Sequence, residues 1–137
     1  GLIEKKPKKD LRARTQQLLG LVYYDQKNFA EALLNFQEVV RARKPTIRSK
    51  GDELGAEAQF LVGKCYFEQE MFDEAIKEYK KVETGFPFPQ WQSKAIYEMA
   101  MTLERKGDKI KAQEQFKRLI QKFPDTLAAA GAKSKLD

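Results

Sequence analysis

A recurring spacing of small and aromatic residues constrains this 137-residue chain more than any other feature of its sequence. Each copy has a small residue, then an alanine, then an aromatic residue, at the same separations and among apolar residues of helical period. Where two helices cross closely, a small residue lets the backbones approach while a ring fills the gap beside it. The pattern therefore predicts three helical hairpins. The three sets are Gly20, Ala32 and Phe36; Gly63, Ala75 and Tyr79; and Ala100, Ala112 and Phe116.

Prolines and capping side chains predict where the helices begin and end. Pro45, Pro87 and Pro124 cannot continue a helix, and each stands at the close of one hairpin. Asn28 is a typical N-cap for the second helix, and Asp10 is expected to cap the first, which leaves residues 1–9 as a basic, flexible lead-in. The predicted helices cover about residues 10–26, 29–42, 52–70, 72–84, 90–106 and 108–122, followed by an alanine-rich helix to about residue 136, capped by Thr126 or Asp125.

Apolar residues at helical spacing predict which side of the early helices is buried. In the first helix the predicted buried stripe consists of Leu11, Leu18, Leu19, Val22 and Tyr23. In the second helix it consists of Phe29, Leu33, Phe36, Val39 and Val40. The single cysteine, Cys65, lies among apolar residues of the third helix and is predicted to pack as a small hydrophobic side chain.

The stretch from Ala56 to Pro87 resembles a tetratricopeptide repeat, in which two antiparallel helices pack through a small-residue contact. The resemblance implies an all-α fold, an α-solenoid of three hairpins that coils into a right-handed superhelix. The hairpins are expected at about residues 10–46, 52–89 and 90–126, with a capping helix over residues 127–137. The hairpin ends GFP and KFPDT are similar to those of bacterial cell-envelope scaffolds, such as the outer-membrane assembly lipoprotein and the Tol-Pal coordinator. That similarity implies a periplasmic or cell-envelope location, with the cytoplasm as the alternative.

By the pattern of the family, ten side chains are expected to face the concave groove and contact a partner. They are Arg14, Gln17, Leu21, Tyr24, Phe60, Lys64, Phe67, Lys94, Tyr97 and Met101. The resemblance thus implies a protein–protein interaction module that binds a peptide or partner helix and forms part of a larger scaffold or assembly protein. For the aromatic residues the alternative is packing between neighbouring repeats. For the whole chain the alternative is a self-associating segment of a cell-envelope or organelle scaffold.

Composition argues against catalysis. The chain contains no histidine and one cysteine, which removes Cys/His zinc sites, an internal disulfide and the usual pairs of nucleophile and base. We therefore expect a non-catalytic chain without metal or cofactor. No apolar run approaches the roughly 20 residues that span a bilayer, so no transmembrane segment is expected.

The net charge of +6 is concentrated in two places. Residues 1–14 are strongly basic, and residues 41–50 contain arginines and lysines without any acid. Such runs are typically a solvated tail and a solvated loop, and contact with an acidic partner or an anionic surface is the alternative. Nucleic-acid binding is disfavoured, because this type of repeat binds peptides more often than phosphates and the excess charge lies in the expected N-terminal tail.

Overall fold

The computed structural model describes residues 2–137, with side chains from Lys8 onward, and this part of the chain is built from helices joined by short connections. Seven α-helices occupy these residues, and each helix packs against the next in chain order. They form three hairpins, α1/α2, α3/α4 and α5/α6, followed by α7. The helices are α1 (Leu2–Asp25), α2 (Phe29–Arg43), α3 (Glu53–Glu68), α4 (Phe72–Gly85), α5 (Pro89–Lys106), α6 (Lys109–Lys122) and α7 (Leu127–Leu136). The predicted all-α solenoid is confirmed.

Short polar side chains cap four of these helices as local chemistry dictates. The Asn28 side chain accepts a hydrogen bond from the amide of Glu31, and the carboxylate of Asp52 accepts one from Gly55. Asp108 caps α6 in the same way, and Thr126 caps α7, which decides between the two predicted caps of the last helix. None of the helices in residues 2–137 combines the length and apolar character needed to cross a bilayer.

The start of α1 differs from the prediction. The helix begins at Leu2, so residues 2–9 continue α1 and Asp10 lies inside it instead of capping it. Leucine, lysine and glutamate all have high helix propensity, which favours this extension. The carboxylate of Asp10 accepts hydrogen bonds from Arg14 at 2.8 Å and from Arg43 at 2.9 Å, and these contacts lower its pKa. Arg43 also donates to Asp52 at 2.6 Å, so one guanidinium ties the end of α2 to α1 and to the start of α3.

The two predicted crossings of a glycine with a ring are present. A Cβ atom placed on Gly20 would lie 2.6 Å from Cε1 of Phe36, and one on Gly63 would lie 2.5 Å from Cε1 of Tyr79. Both rings are buried. Glycine is therefore required where α1 crosses α2 and where α3 crosses α4, because a side chain there would occupy the space of the ring.

Two clusters of buried side chains form the core. One is centred on Phe36 and joins the first hairpin to α3. The larger one contains Tyr79 and Phe116 and joins the second hairpin, the third hairpin and α7. Cys65 is buried in the first cluster as predicted, and burial raises the pKa of its thiol to about 12.

The apolar stripe predicted as buried in α1 is exposed, which corrects the sequence interpretation. Four of its five residues lie on the surface: Leu11, Leu18, Leu19 and Val22. α1 instead packs through Ala13, Gln17 and Gly20, which are buried. The close crossing with α2 requires small side chains, so the face that carries Gly20 turns inward and the bulkier leucines turn outward.

A cluster of charges joins α4 to α6. The carboxylate of Glu83 accepts two hydrogen bonds from Arg118, at 2.5 and 2.8 Å, and one from Lys122 at 2.9 Å. The Arg118 hydrogen bonds, with a smaller contribution from Lys122, hold the pKa of Glu83 below its usual value. The second and third hairpins are therefore linked by charge as well as by apolar packing.

Candidate functional site

A surface recess lies on the side of the solenoid formed by α3, α5 and α7. α3 contacts α5, and α5 contacts α7, so these three helices stand side by side while α4 and α6 lie behind them. The recess has a volume of about 560 Å³. Its lining residues are Phe60, Leu61 and Lys64 from α3; Lys94, Tyr97 and Glu98 from α5; and Leu127, Ala128 and Gly131 from α7.

Aromatic rings form the apolar floor of the recess. Phe60 is half-buried, with its ring centroid 5.6 Å from that of Tyr79 and 5.7 Å from that of Trp91. Tyr97 is also half-buried and lies 5.7 Å from the ring of Phe116. Phe60 therefore packs between the second and third hairpins, Tyr97 packs within the third hairpin, and both rings also line the recess. Rings held on several sides offer a rigid contact surface.

Two lysines stand at the rim of the recess. Within residues 8–137, neither Lys64 nor Lys94 takes part in a salt bridge or a side-chain hydrogen bond with another residue. The ammonium of Lys94 lies 4.6 Å from the centroid of the Trp91 ring, a favourable cation–π distance. The recess thus combines an apolar floor with two cations that form no ion pair within residues 8–137, and its lining also includes one carboxylate, Glu98.

At the α1 end of this side of the solenoid, hydrogen bonds join α1 to α3. Gln17 is only 3% exposed and donates to the carboxylate of Glu57 at 2.7 Å. The hydroxyl of Tyr24 donates to Glu68 at 3.1 Å, and burial raises the pKa of that hydroxyl. Both side chains link the first hairpin to the second. The sequence analysis expected them to contact a partner, but here their polar groups already bind α3.

The remaining predicted residues lie outside the recess. Arg14 is exposed, forms an ion pair with Asp10 and borders a separate depression with Trp91. Leu21 packs against the first core cluster, and Met101 packs against the larger one. Phe67 is half-buried beneath the guanidinium of Arg105, whose central carbon lies 5.5 Å from the ring centroid.

The structure thus brings four of the ten predicted residues into one recess: Phe60, Lys64, Lys94 and Tyr97. The sequence interpretation missed the contribution of α7, which it treated only as a cap. Gly131 lies so close to Tyr97 that a Cβ atom on it would be 3.0 Å from Cε2 of that ring. A glycine within an alanine-rich helix is the signal that could have indicated this close approach.

Comparison with known proteins identifies a family and a fold. The family model described as "T7SS, ESX-1 secretion system protein EccA1, N-terminal domain" matches residues 15–135. No curated protein sequence matches the chain significantly.

Among solved structures, the N-terminal domain of stress-induced protein-1 from C. elegans is similar, with a TM-score of 0.69 and 18% identity over 92% of this chain and 95% of that one. PcrH in complex with the chaperone binding region of PopD gives a TM-score of 0.70 and 18% identity, covering 93% and 90% of the two chains. YrrB, titled a TPR protein with an unusual peptide-binding site, gives a TM-score of 0.66 and 26% identity, covering 89% of this chain and 57% of that one. These likenesses confirm the tetratricopeptide-repeat fold.

Proposed function

The chain belongs to the family of the N-terminal domain of the ESX-1 secretion system protein EccA1, and we propose that it is a non-catalytic domain that binds a partner protein through the recess between α3, α5 and α7. The observation that carries this proposal is the composition of the recess. An apolar floor of half-buried rings adjoins Lys64 and Lys94, which form no ion pair within residues 8–137. Apolar pockets with a few convergent polar groups are typical ligand sites.

The chemistry of the recess specifies the class of partner segment. An apolar side chain of the partner would displace water from Phe60, Leu61 and Tyr97, and a carboxylate one or two residues away would reach Lys64 or Lys94. We therefore propose a peptide or helix that alternates apolar and acidic residues. Such a segment would lie across α3, α5 and α7, because these three helices line the recess.

Two of the similar proteins support binding of a polypeptide. PcrH is described in complex with a segment of PopD, and YrrB is described with a peptide-binding site. The sequence predicts that this chain is part of a larger scaffold or assembly protein. We propose that, within such a protein, the domain binds a partner of a secretion system. We place this function in the cytoplasm, which the sequence analysis gave as the alternative to the periplasm or cell envelope. Secreted proteins are synthesised in the cytoplasm, so a domain that binds them before export would act there.

A peptide-display selection tests the proposal, because the selection itself supplies the candidate peptides. The parent domain is expected to enrich peptides that combine apolar and acidic residues. The variant carrying Lys64→Glu and Lys94→Glu should lose those peptides, because its recess repels carboxylates. Binding of each selected peptide can be followed through the fluorescence of Trp91, the single tryptophan, which lies beside both Phe60 and Lys94.

The matched control carries the same change of charge at the back of the solenoid. Lys77→Glu with Lys80→Glu alters two exposed lysines of α4 that do not line the recess. This control should bind the selected peptides as the parent does. Equal binding by the recess variant and the parent would refute the assignment of the recess as the binding site.

A further inference from the structure

α1 presents an exposed apolar seam on the side opposite its buried face, and the first part of this seam borders a depression that it shares with Asn35 of α2. Leu11 is 65% exposed, Leu18 is 63% exposed and Val22 is 50% exposed. Thr15, also exposed, lies between them on the same side of the helix. Within residues 2–137, no other helix covers this seam. Large apolar side chains grouped along several turns of one helix mark a site of interaction.

The spacing of the seam is that of a helix which packs beside another helix. Leu11, Thr15, Leu18 and Val22 are separated by alternating steps of four and three residues, the pattern of paired helices. One further step in each direction reaches Lys8 before Leu11 and Asp25 after Val22, and both are exposed. The seam therefore begins with a cation and ends with an anion.

The order of residues along the seam makes it complementary to itself in the antiparallel direction. When two copies of α1 pack antiparallel about the level of Gln16 and Gln17, Lys8 of each stands opposite Asp25 of the other. The apolar positions then face each other as well: Leu11 meets Val22, and Thr15 meets Leu18. In a parallel pair, by contrast, Lys8 would face Lys8 and Asp25 would face Asp25, which is unfavourable.

We propose that the partner of this seam is a second copy of the chain, in a two-fold symmetric dimer with the α1 helices antiparallel. A two-fold interface requires a surface that is complementary to itself, and the charges at the two ends of the seam meet that requirement. The dimer leaves the recess between α3, α5 and α7 open, because none of the seam residues lines it. Self-association through α1 is thus independent of partner binding in the recess.

Sedimentation velocity over a range of concentrations tests the dimer. The parent is expected to shift from the 15.8 kDa monomer to twice that mass as its concentration rises. Leu18→Glu should remain monomeric, because it places two carboxylates at the centre of the seam. Ile110→Glu is the matched control, since Ile110 is a 74% exposed apolar residue of α6 outside the seam, and it should dimerise as the parent does. A parent that stays monomeric at every concentration would overturn the proposal.

A charge exchange tests the antiparallel direction. Lys8→Glu alone sets two carboxylates against each other at both ends of the dimer, and we expect association at least about tenfold weaker. Asp25→Lys alone should weaken it similarly, whereas the double variant should dimerise as the parent does. Circular dichroism establishes that each variant is folded. If the double variant associates no better than the single variants, the antiparallel pairing is wrong.

Discussion

The contact of Gly63 with Tyr79 leads to a sharp prediction about Gly63→Ala. A Cβ atom at this position would lie 2.5 Å from Cε1 and 2.6 Å from Cδ1 of Tyr79, where ordinary contact begins at 3.4 Å. The ring would have to move by roughly 0.9 Å, and packed interiors resist such movements. Tyr79 is 1% exposed and packs against Phe60, so it has little room to retreat.

The expected loss of stability follows from two opposing effects. Overpacking of this kind costs about 1 to 3 kcal/mol. Replacing glycine by alanine within a helix favours folding by up to about 1 kcal/mol. We therefore expect Gly63→Ala to lower the free energy of unfolding by about 1 to 2 kcal/mol, which is the difference between these terms near the middle of their ranges.

The control is Gly85→Ala, at the last residue of α4. A Cβ atom on Gly85 has no heavy atom within 4 Å, so only the gain from helix propensity and chain entropy remains. Urea unfolding followed by circular dichroism measures both variants, which should differ from the parent in opposite directions. If Gly63→Ala were as stable as Gly85→Ala, the crossing would not be closed by the ring and the packing argument would be refuted.

Three further predictions concern other parts of the molecule. Ala75→Leu should overpack the crossing of α3 and α4 and lower the free energy of unfolding by about 1 to 3 kcal/mol, measured by the same urea titration, where an unchanged midpoint would contradict it. Glu83→Gln should be destabilising at neutral pH and progressively less so as the pH is lowered, as measured by unfolding at a series of pH values. The pKa of Glu83 is lowered by Arg118 and Lys122, so its contribution is present above the unfolded-state pKa and is lost as the pH falls through the folded-state pKa. The Cys65 thiol should resist alkylation at pH 8 in the native protein and react at once in urea, because burial raises its pKa to about 12; rapid labelling without urea would show that the site is open.

Most helix boundaries could be predicted from the sequence because the interactions that set them are local. Asn28 and Asp108 accept hydrogen bonds from amides three residues ahead, and proline ends or begins a helix through its own ring. The prediction failed at Asp10, whose carboxylate binds Arg43 instead of a helix end. That partner lies on another helix, so no local pattern indicates it.

The site could be predicted only in part, for the same reason. The ten residues predicted from the family resemblance include four that line the recess and six that lie elsewhere. Gln17 is buried where α1 packs against its neighbours, and it donates a hydrogen bond to Glu57, a residue of α3. α7 was expected to be only a cap, yet Leu127, Ala128 and Gly131 complete the recess because α7 packs beside α5.

The amino-acid sequence by itself determined the number of helices, most of their ends, and the pairing of Gly20 with Phe36 and of Gly63 with Tyr79. These features depend on hydrogen bonds and volumes within one hairpin. Only the tertiary structure decided which side of α1 is covered. The leucines of α1 and the small face around Gly20 both had helical spacing, and spacing does not distinguish them. The close crossing with α2 selected the small face, because only there can the two backbones approach.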